Sequence, residues 1–218
     1  MNDELLQGLV EIVSPEGVKG DVVSPADAHA LALVANFCNQ HAVPISATSG
    51  APAAPGGAPE RGGIILSVHR LAGIEVAAAG LTVRAGAGAT LAHVRAAVAT
   101  DKLAVVGLGA NTGSAHVGTL VARGEVPRRS LAGVEAVLST GEAVKAGGSA
   151  LKDVVGYDLI AALLGSAGRL ALIAAVTFRL EPAAARTATS KPPGTQTWQP
   201  GLAGAFDPKG LLRSGALR

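Results

Sequence analysis

Apolar and polar positions follow helical spacing in some stretches of this chain and strand spacing in others. Ala30, Leu31, Val34, Ala35 and Cys38 recur at helical intervals, which predicts a helix with one buried face running to about His41. Ser24-Pro25-Ala26-Asp27 reads as its start, with serine at the N-cap, proline at N1 and an acid at N3. Asp3–Val10 predicts one or two amphipathic helical turns, Val22-Val23 a short strand, and Val43-Pro44-Ile45 a strand leading into a loop. Gly63–Val68 predicts a buried strand by length and β-branched content, and Ile74–Val76 with Leu81–Ala85 a hairpin pair. Thr90 suits the N-cap of a helix that places Leu91, Val94, Ala97 and Val98 on one face. Leu103–Val106 predicts another short strand, and Leu131–Leu138 with Glu142–Lys145 a hairpin turned at Ser139-Thr140-Gly141.

The stretch from Lys152 to Pro182 is the most apolar. Asp158 can cap a short buried helix over Leu159–Leu164, stopped by Gly165-Ser166 and Gly168. Leu170–Leu180 is nearly unbroken in apolar residues and carries Val176, Thr177 and Phe178, which predicts a buried strand closed by Pro182. Past Pro182 the residues are mostly Ala, Thr, Pro and Gly as far as Ala205, a linker composition that predicts extended or poorly ordered chain.

Composition narrows the picture. The chain has 218 residues, room for one sizeable core or two small lobes, and is 49% hydrophobic and 16% charged, hence globular. Only 2% is aromatic, so Ala, Val and Leu must build the core, with 29 glycines in the turns. A net charge of +2 gives no basis for nucleic-acid binding. The charge is uneven: Arg186, Lys191, Lys209, Arg213 and Arg218 against Asp207 give residues 183–218 a net +4, leaving −2 for the remainder. Such an arm suits docking on an acidic partner or folding back on its own domain. Cys38 is the single cysteine, which excludes an internal disulfide and a cysteine metal cluster. The acidic N-terminus lacks the pattern of a signal peptide, and Leu159–Ile173 is too short and glycine-rich to span a bilayer, which takes about 20 residues. A soluble, cytoplasmic protein is the expectation.

Most catalytic signatures are missing. No Ser/His/Asp set is spaced for a hydrolase, and His29, His41, His69, His93 and His116 show no metal-ligand spacing. No glycine loop ends in Lys-Ser/Thr, and Gly86–Gly88 lacks the third glycine of a dinucleotide fingerprint.

What remains is a resemblance in the letters themselves. Gly156-Tyr157-Asp158-Leu159, then GSAGRLALI from Gly165 to Ile173, and Pro182 at the close resemble the end of the FAD-binding (PCMH-type) domain of vanillyl-alcohol-oxidase-type flavoproteins. Within them the pattern is most similar to the FAD-binding subunit of bacterial glycolate oxidase. Lys152, Val154, Ser166, Gly168 and Leu170 also match, while Arg169 replaces threonine and Ala171 replaces glycine. The earlier VVSP, VPI, AGATL and GVEAVLSTGEAVKAGG segments fit the same family in the same order, and FDPKG from Phe206 resembles its closing segment.

The resemblance implies an α+β fold of two α/β lobes, roughly residues 1–70 and 71–182, with noncovalent FAD between them. It places the pyrophosphate against backbone amides of Thr48, Ser49, Gly50 and Ala51 and of Val117, Gly118 and Thr119, where the loop passes the flavin. It places the ring near Gly168–Ile173, with Gly165 a further cofactor-binding residue. Two departures weaken the implied site. Only Gly50 survives of the glycine-rich pyrophosphate turn, and Pro52 removes a donor, so binding should be weak. His116 stands where the family has threonine, and reads as a loop histidine first and a ligand contact second. The family's substrate-covering cap domain lies between the counterparts of Pro182 and Phe206; here only residues 183–205 do. An FAD-binding subunit of a glycolate or 2-hydroxyacid oxidase complex is therefore implied, partnered by a larger flavin subunit and an iron–sulfur subunit. A structural pseudo-subunit without flavin, or a module for another nucleotide-like ligand, are the alternatives.

Overall fold

The computed structural model describes residues 3–50, 63–108, 113–147, 158–185, 192–195 and 200–213. In chain order these form α1 (Asp3–Val13), β1 (Val18–Lys19), β2 (Val22–Val23), α2 (Ala28–Gln40), β3 (Ile45–Thr48), β4 (Ile64–Ser67), β5 (Ile74–Ala77) and β6 (Thr82–Gly86). Then come α3 (Leu91–Ala99), β7 (Leu103–Val105), α4 (Val117–Ala122), β8 (Leu131–Val137), β9 (Ala143–Gly147), α5 (Leu159–Leu163), β10 (Leu172–Pro182), α6 (Pro200–Phe206) and β11 (Leu212–Arg213).

The strands make two sheets, as the α+β reading requires. In the first, ordered β1-β2-β4-β3-β11, the four strands from β2 to β11 run parallel and β1 is an antiparallel edge. The second is antiparallel, ordered β5-β6-β10-β8-β9, with β7 pairing the far end of β10. β10 explains the long apolar run. Residues Leu172–Val176 are buried on both faces, and alternation begins only beyond them, with Phe178 and Leu180 buried and Arg179 exposed. Val176 sits in register with Ala85 on one side and Val134 on the other, so this strand is the second sheet's centre.

Helix starts follow side-chain chemistry. The Asp158 carboxylate accepts from the Ala161 amide at 3.0 Å, and the Thr90 hydroxyl from His93 at 3.2 Å, each cap contributing about 1 kcal/mol. The cap of α2 lies three residues beyond the expected serine. Asp27 accepts from the Ala30 amide at 2.8 Å, while Ser24 is buried and its amide donates to the Gly17 carbonyl, which holds Ser24-Pro25 in the preceding turn. Ala30, at the first turn, is consequently only half-buried.

The linker expectation, which ran to Ala205, fails over 200–205, and the closing segment from Phe206 is docked beside it. α6 packs Leu202, Ala203 and Phe206 against the core, and β11 adds to β3, with Leu212 opposite Ile45. Buried Leu211 and Leu212 supply the driving force, and the Asp207 carboxylate accepts from the Leu212 amide at 2.7 Å to close the turn between them. Ser139, in the hairpin turn of the second sheet, donates to the Phe206 carbonyl, so this segment touches both sheets.

Candidate functional site

Strands β3 and β4 run parallel and end side by side at Thr48 and Ser67. Carboxyl ends of parallel strands leave backbone and short side chains facing a crevice, a common location for ligands. Here the crevice is closed on its other side by the second sheet. A cleft open to solvent lies between Ala47, Thr48, Ser49 and Val68 on one wall and Gly118, Ala122, Gly168, Ala171, Leu172 and Ile173 on the other.

The walls approach closely because the residues are small. A Cβ on Gly118 would stand 2.6 Å from Ser49 Oγ and 2.9 Å from the Ala87 methyl. No side chain larger than hydrogen fits there. The start of α4 is fixed by its own amides: Val117 donates to the Ala89 carbonyl and Gly118 to that of Ala87, both at 2.8 Å. The family-based expectation of a loop at 116–119 is thus corrected to a helix start, with His116 at the N-cap. Those two amides are already used within the chain. On the same wall, Gly165 donates to Val121 and Ala167 to Ala122, which pins the 165–168 turn on α4. Gly168 has φ +75°, and a Cβ there would meet nothing within 4 Å, so the wall is open at this point.

Of the residues singled out from sequence, Thr48, Ser49, Gly118, Gly168 and Ile173 line the cleft. Gly50 lies at its mouth, against the ring of His116. Val117 is buried and Gly165 stands behind the wall, while Thr119 follows in α4 without lining the cleft. Ala51 lies outside the described residues. Ala171 and Leu172 fall inside the expected Gly168–Ile173 stretch, and sequence reasoning missed Ala47, Val68 and Ala122 as lining residues. Val68 was detectable in principle, since it closes the predicted strand Gly63–Val68, whereas Ala47 lies beyond the predicted end of its strand, which runs on to Thr48. Ser67 and His69 were also missed: Ser67 donates to the Gly50 carbonyl at 2.7 Å and pairs with His69 Nδ1 at 2.9 Å.

Burial, and then the charges of Arg70, His116 and Lys19, hold His69 below its ordinary pKa, and burial does the same for His116. Asp158 has a different role. Burial pushes its carboxyl up, but Arg128 at 3.0 Å and the Ala161 amide outweigh this, and its pKa falls. Arg128 also donates to the Leu131 carbonyl, so the pair joins α5 to β8. No cluster among the described residues could hold a metal ion, and no described helix is long and apolar enough to cross a membrane.

These residues fit a flavin. One wall of the cleft, Gly118, Ala122, Gly168 and Ala171, is small and apolar, which lets a ring approach its backbone closely. Ser166, in the turn beside it, has a buried hydroxyl with no hydrogen-bond partner among the described residues. Comparison with known proteins agrees. Residues 21–147 match the FAD binding domain family. D-lactate dehydrogenase of Archaeoglobus fulgidus is 32% identical over 183 residues, 78% of this chain and 41% of that protein. Glycolate oxidase subunit GlcD of Bacillus subtilis is 28% identical over 172 residues, covering 74% and 37%. Among solved structures, an alkyldihydroxyacetonephosphate synthase superposes with a TM-score of 0.68 at 13% identity, over 84% of this chain and 41% of that one, a likeness of fold. The chain spans about two fifths of the length of the curated relatives it matches. With a cleft between the two sheets and the family's match over 21–147, this chain belongs to the FAD binding domain family, and FAD is its cofactor.

Proposed function

We propose that this chain is the FAD-binding part of a 2-hydroxyacid oxidase or dehydrogenase of the glycolate or D-lactate kind, and that it works inside a complex. The observation that carries the reading is the path after β10. Only residues 183–205 lie between Pro182 and Phe206, and α6 and β11 return at once to the first sheet. The substrate-covering domain that the resemblance calls for has no room in this connection, so residues 1–182 act as the FAD-binding domain and 183–218 replace the cap. A covering partner fits this reading.

When bound, the flavin supplies the redox chemistry, taking two electrons from the hydroxyl-bearing carbon of the substrate. The chain's own residues bind and orient it. Gly118, Gly168 and Ala171–Ile173 would hold the ring noncovalently, and Thr48–Gly50 the diphosphate end, with Ala51 and Val117–Thr119 flanking it. The partners that fit are a larger flavin subunit and an iron–sulfur subunit that passes electrons onward. An exposed flavin edge loses electrons to oxygen, which favours covering by such a subunit. Co-purification from the native host tests this: a complex with a second flavoprotein is expected, and a lone monomer at every salt concentration would end the subunit reading.

A second reading, a structural pseudo-subunit without flavin, is favoured by one observation. The amides of Val117 and Gly118 are engaged within the chain and do not serve a diphosphate. Titration with FAD separates the two readings.

A further inference from the structure

Two histidines from distant parts of the chain meet over the loop that follows β3. Ser67 is fully buried, and its Oγ lies 2.7 Å from the Gly50 carbonyl, which can only accept. The hydroxyl proton is therefore given to Gly50. The same Oγ lies 2.9 Å from His69 Nδ1 and can only accept from it. The neutral His69 ring thus carries its proton on Nδ1 and keeps Nε2 as a lone pair. Protonation turns Nε2 into a donor. His116 reaches the same loop from the start of α4, with Cε1 3.3 Å and Nδ1 3.7 Å from where a Cβ on Gly50 would stand.

We propose that His69 and His116 form a proton-gated clamp on the diphosphate of the bound dinucleotide, an inference that rests on the FAD reading above. Thr48 belongs to β3, its carbonyl accepts from Val68, and the Val117 and Gly118 amides are spent within the chain. Two imidazolium rings can replace missing amides with charge-assisted hydrogen bonds. The charged groups acting on His69 are Arg70, His116 and Lys19, all cationic. Arg70 is turned towards the Ser24 carbonyl, with Glu16 within its field. Among the described residues no carboxylate acts on either ring. Burial lowers the pKa of both rings, and the charged form of His116 repels a proton on His69. A diphosphate between them reverses that repulsion, so each ring takes up a proton on binding. The sign follows: binding tightens as pH falls.

The test is calorimetric titration of the purified chain with FAD, with ADP-ribose, and with riboflavin, from about pH 8 down to about pH 5.5. The phosphates of FAD and ADP-ribose stay fully ionised across this range, so any linkage belongs to the protein. Affinity for FAD and ADP-ribose is expected to rise by roughly tenfold or more, with net proton uptake seen by repeating the titration in buffers of different ionisation enthalpy. Riboflavin, which lacks phosphate, should show neither effect. His69→Gln with His116→Asn should flatten the profile. Flat binding of both diphosphates in the unmodified protein, or a profile unchanged in the double variant, overturns the clamp. ADP-ribose binding with this pH dependence but no FAD binding would keep the clamp and overturn the FAD reading. Absence of binding to either overturns both. Proton uptake by the unmodified protein needs no variant to fold.

Discussion

Replacing Gly118 by alanine tests the closeness of the cleft walls. The added methyl would stand 2.6 Å from Ser49 Oγ, 2.9 Å from the Ala87 Cβ and 3.1 Å from the Ala87 carbonyl oxygen. Ser49 can rotate away. Ala87 cannot, because its amide is bonded to Ala174 of β10 at 2.9 Å and its carbonyl accepts from Gly118 itself. The walls must therefore part or the backbone must shift, an overpacking cost of about 2 kcal/mol. For a chain of this size that lowers Tm by about 4–8 °C. Widening the slot should also weaken FAD. Adding Ser49→Ala removes the closest contact but leaves Ala87, so it should recover only part of the lost stability. Thermal melts followed by circular dichroism, with FAD titrations on the same samples, read both effects. A Gly118→Ala protein within about 0.5 kcal/mol of the unmodified one would refute the close approach.

Three further outcomes follow from other parts of the fold. Arg84, by direct hydrogen bonds, and then Lys145 hold Glu135 down to about 2 against the opposing effect of burial. The folded value is depressed, so this stability is present above the unfolded value near 4.5 and is lost as pH falls from there towards 2. After allowance for solvent screening it amounts to about 1 kcal/mol, and Glu135→Gln should flatten the acid limb of Tm against pH. Asp207→Ala removes the acceptor of the Leu212 amide and should cost about 1–3 kcal/mol, with faster hydrogen exchange at Leu212 and Arg213. Burial pushes the Cys38 thiol up to about 12, so thiol reagents at neutral pH should modify it only as the protein unfolds.

Local chemistry was legible in the sequence. Asp158 and Thr90 stand one residue before apolar runs and cap the helices there, and the unbroken run into Pro182 is the central strand of the second sheet. The α2 cap was misplaced because Ser24 and Asp27 both suit an N-cap by type; what decides is that Ser24 is buried in the preceding turn, a tertiary fact. Residues 200–205 were misread for a related reason. Their composition is that of a linker, and only the packing of Leu202, Ala203 and Phe206 against the core makes the stretch a helix. At the site, the glycines came from the family pattern, and the small residues facing them came only from the fold. The meeting of His69 and His116 over Gly50 joins positions far apart in the chain, and no spacing rule connects them.

The central claim is that FAD occupies the slot between the two sheets. Titrating the purified chain with FAD while following flavin fluorescence tests it, with Ala171→Trp as the comparison because Ala171 lines the slot and a large ring there would fill it. Saturable, reversible binding near one equivalent, removed by dialysis and abolished in a folded Ala171→Trp protein, is the predicted result. No binding by the unmodified chain, or unchanged binding with the slot filled, would contradict it.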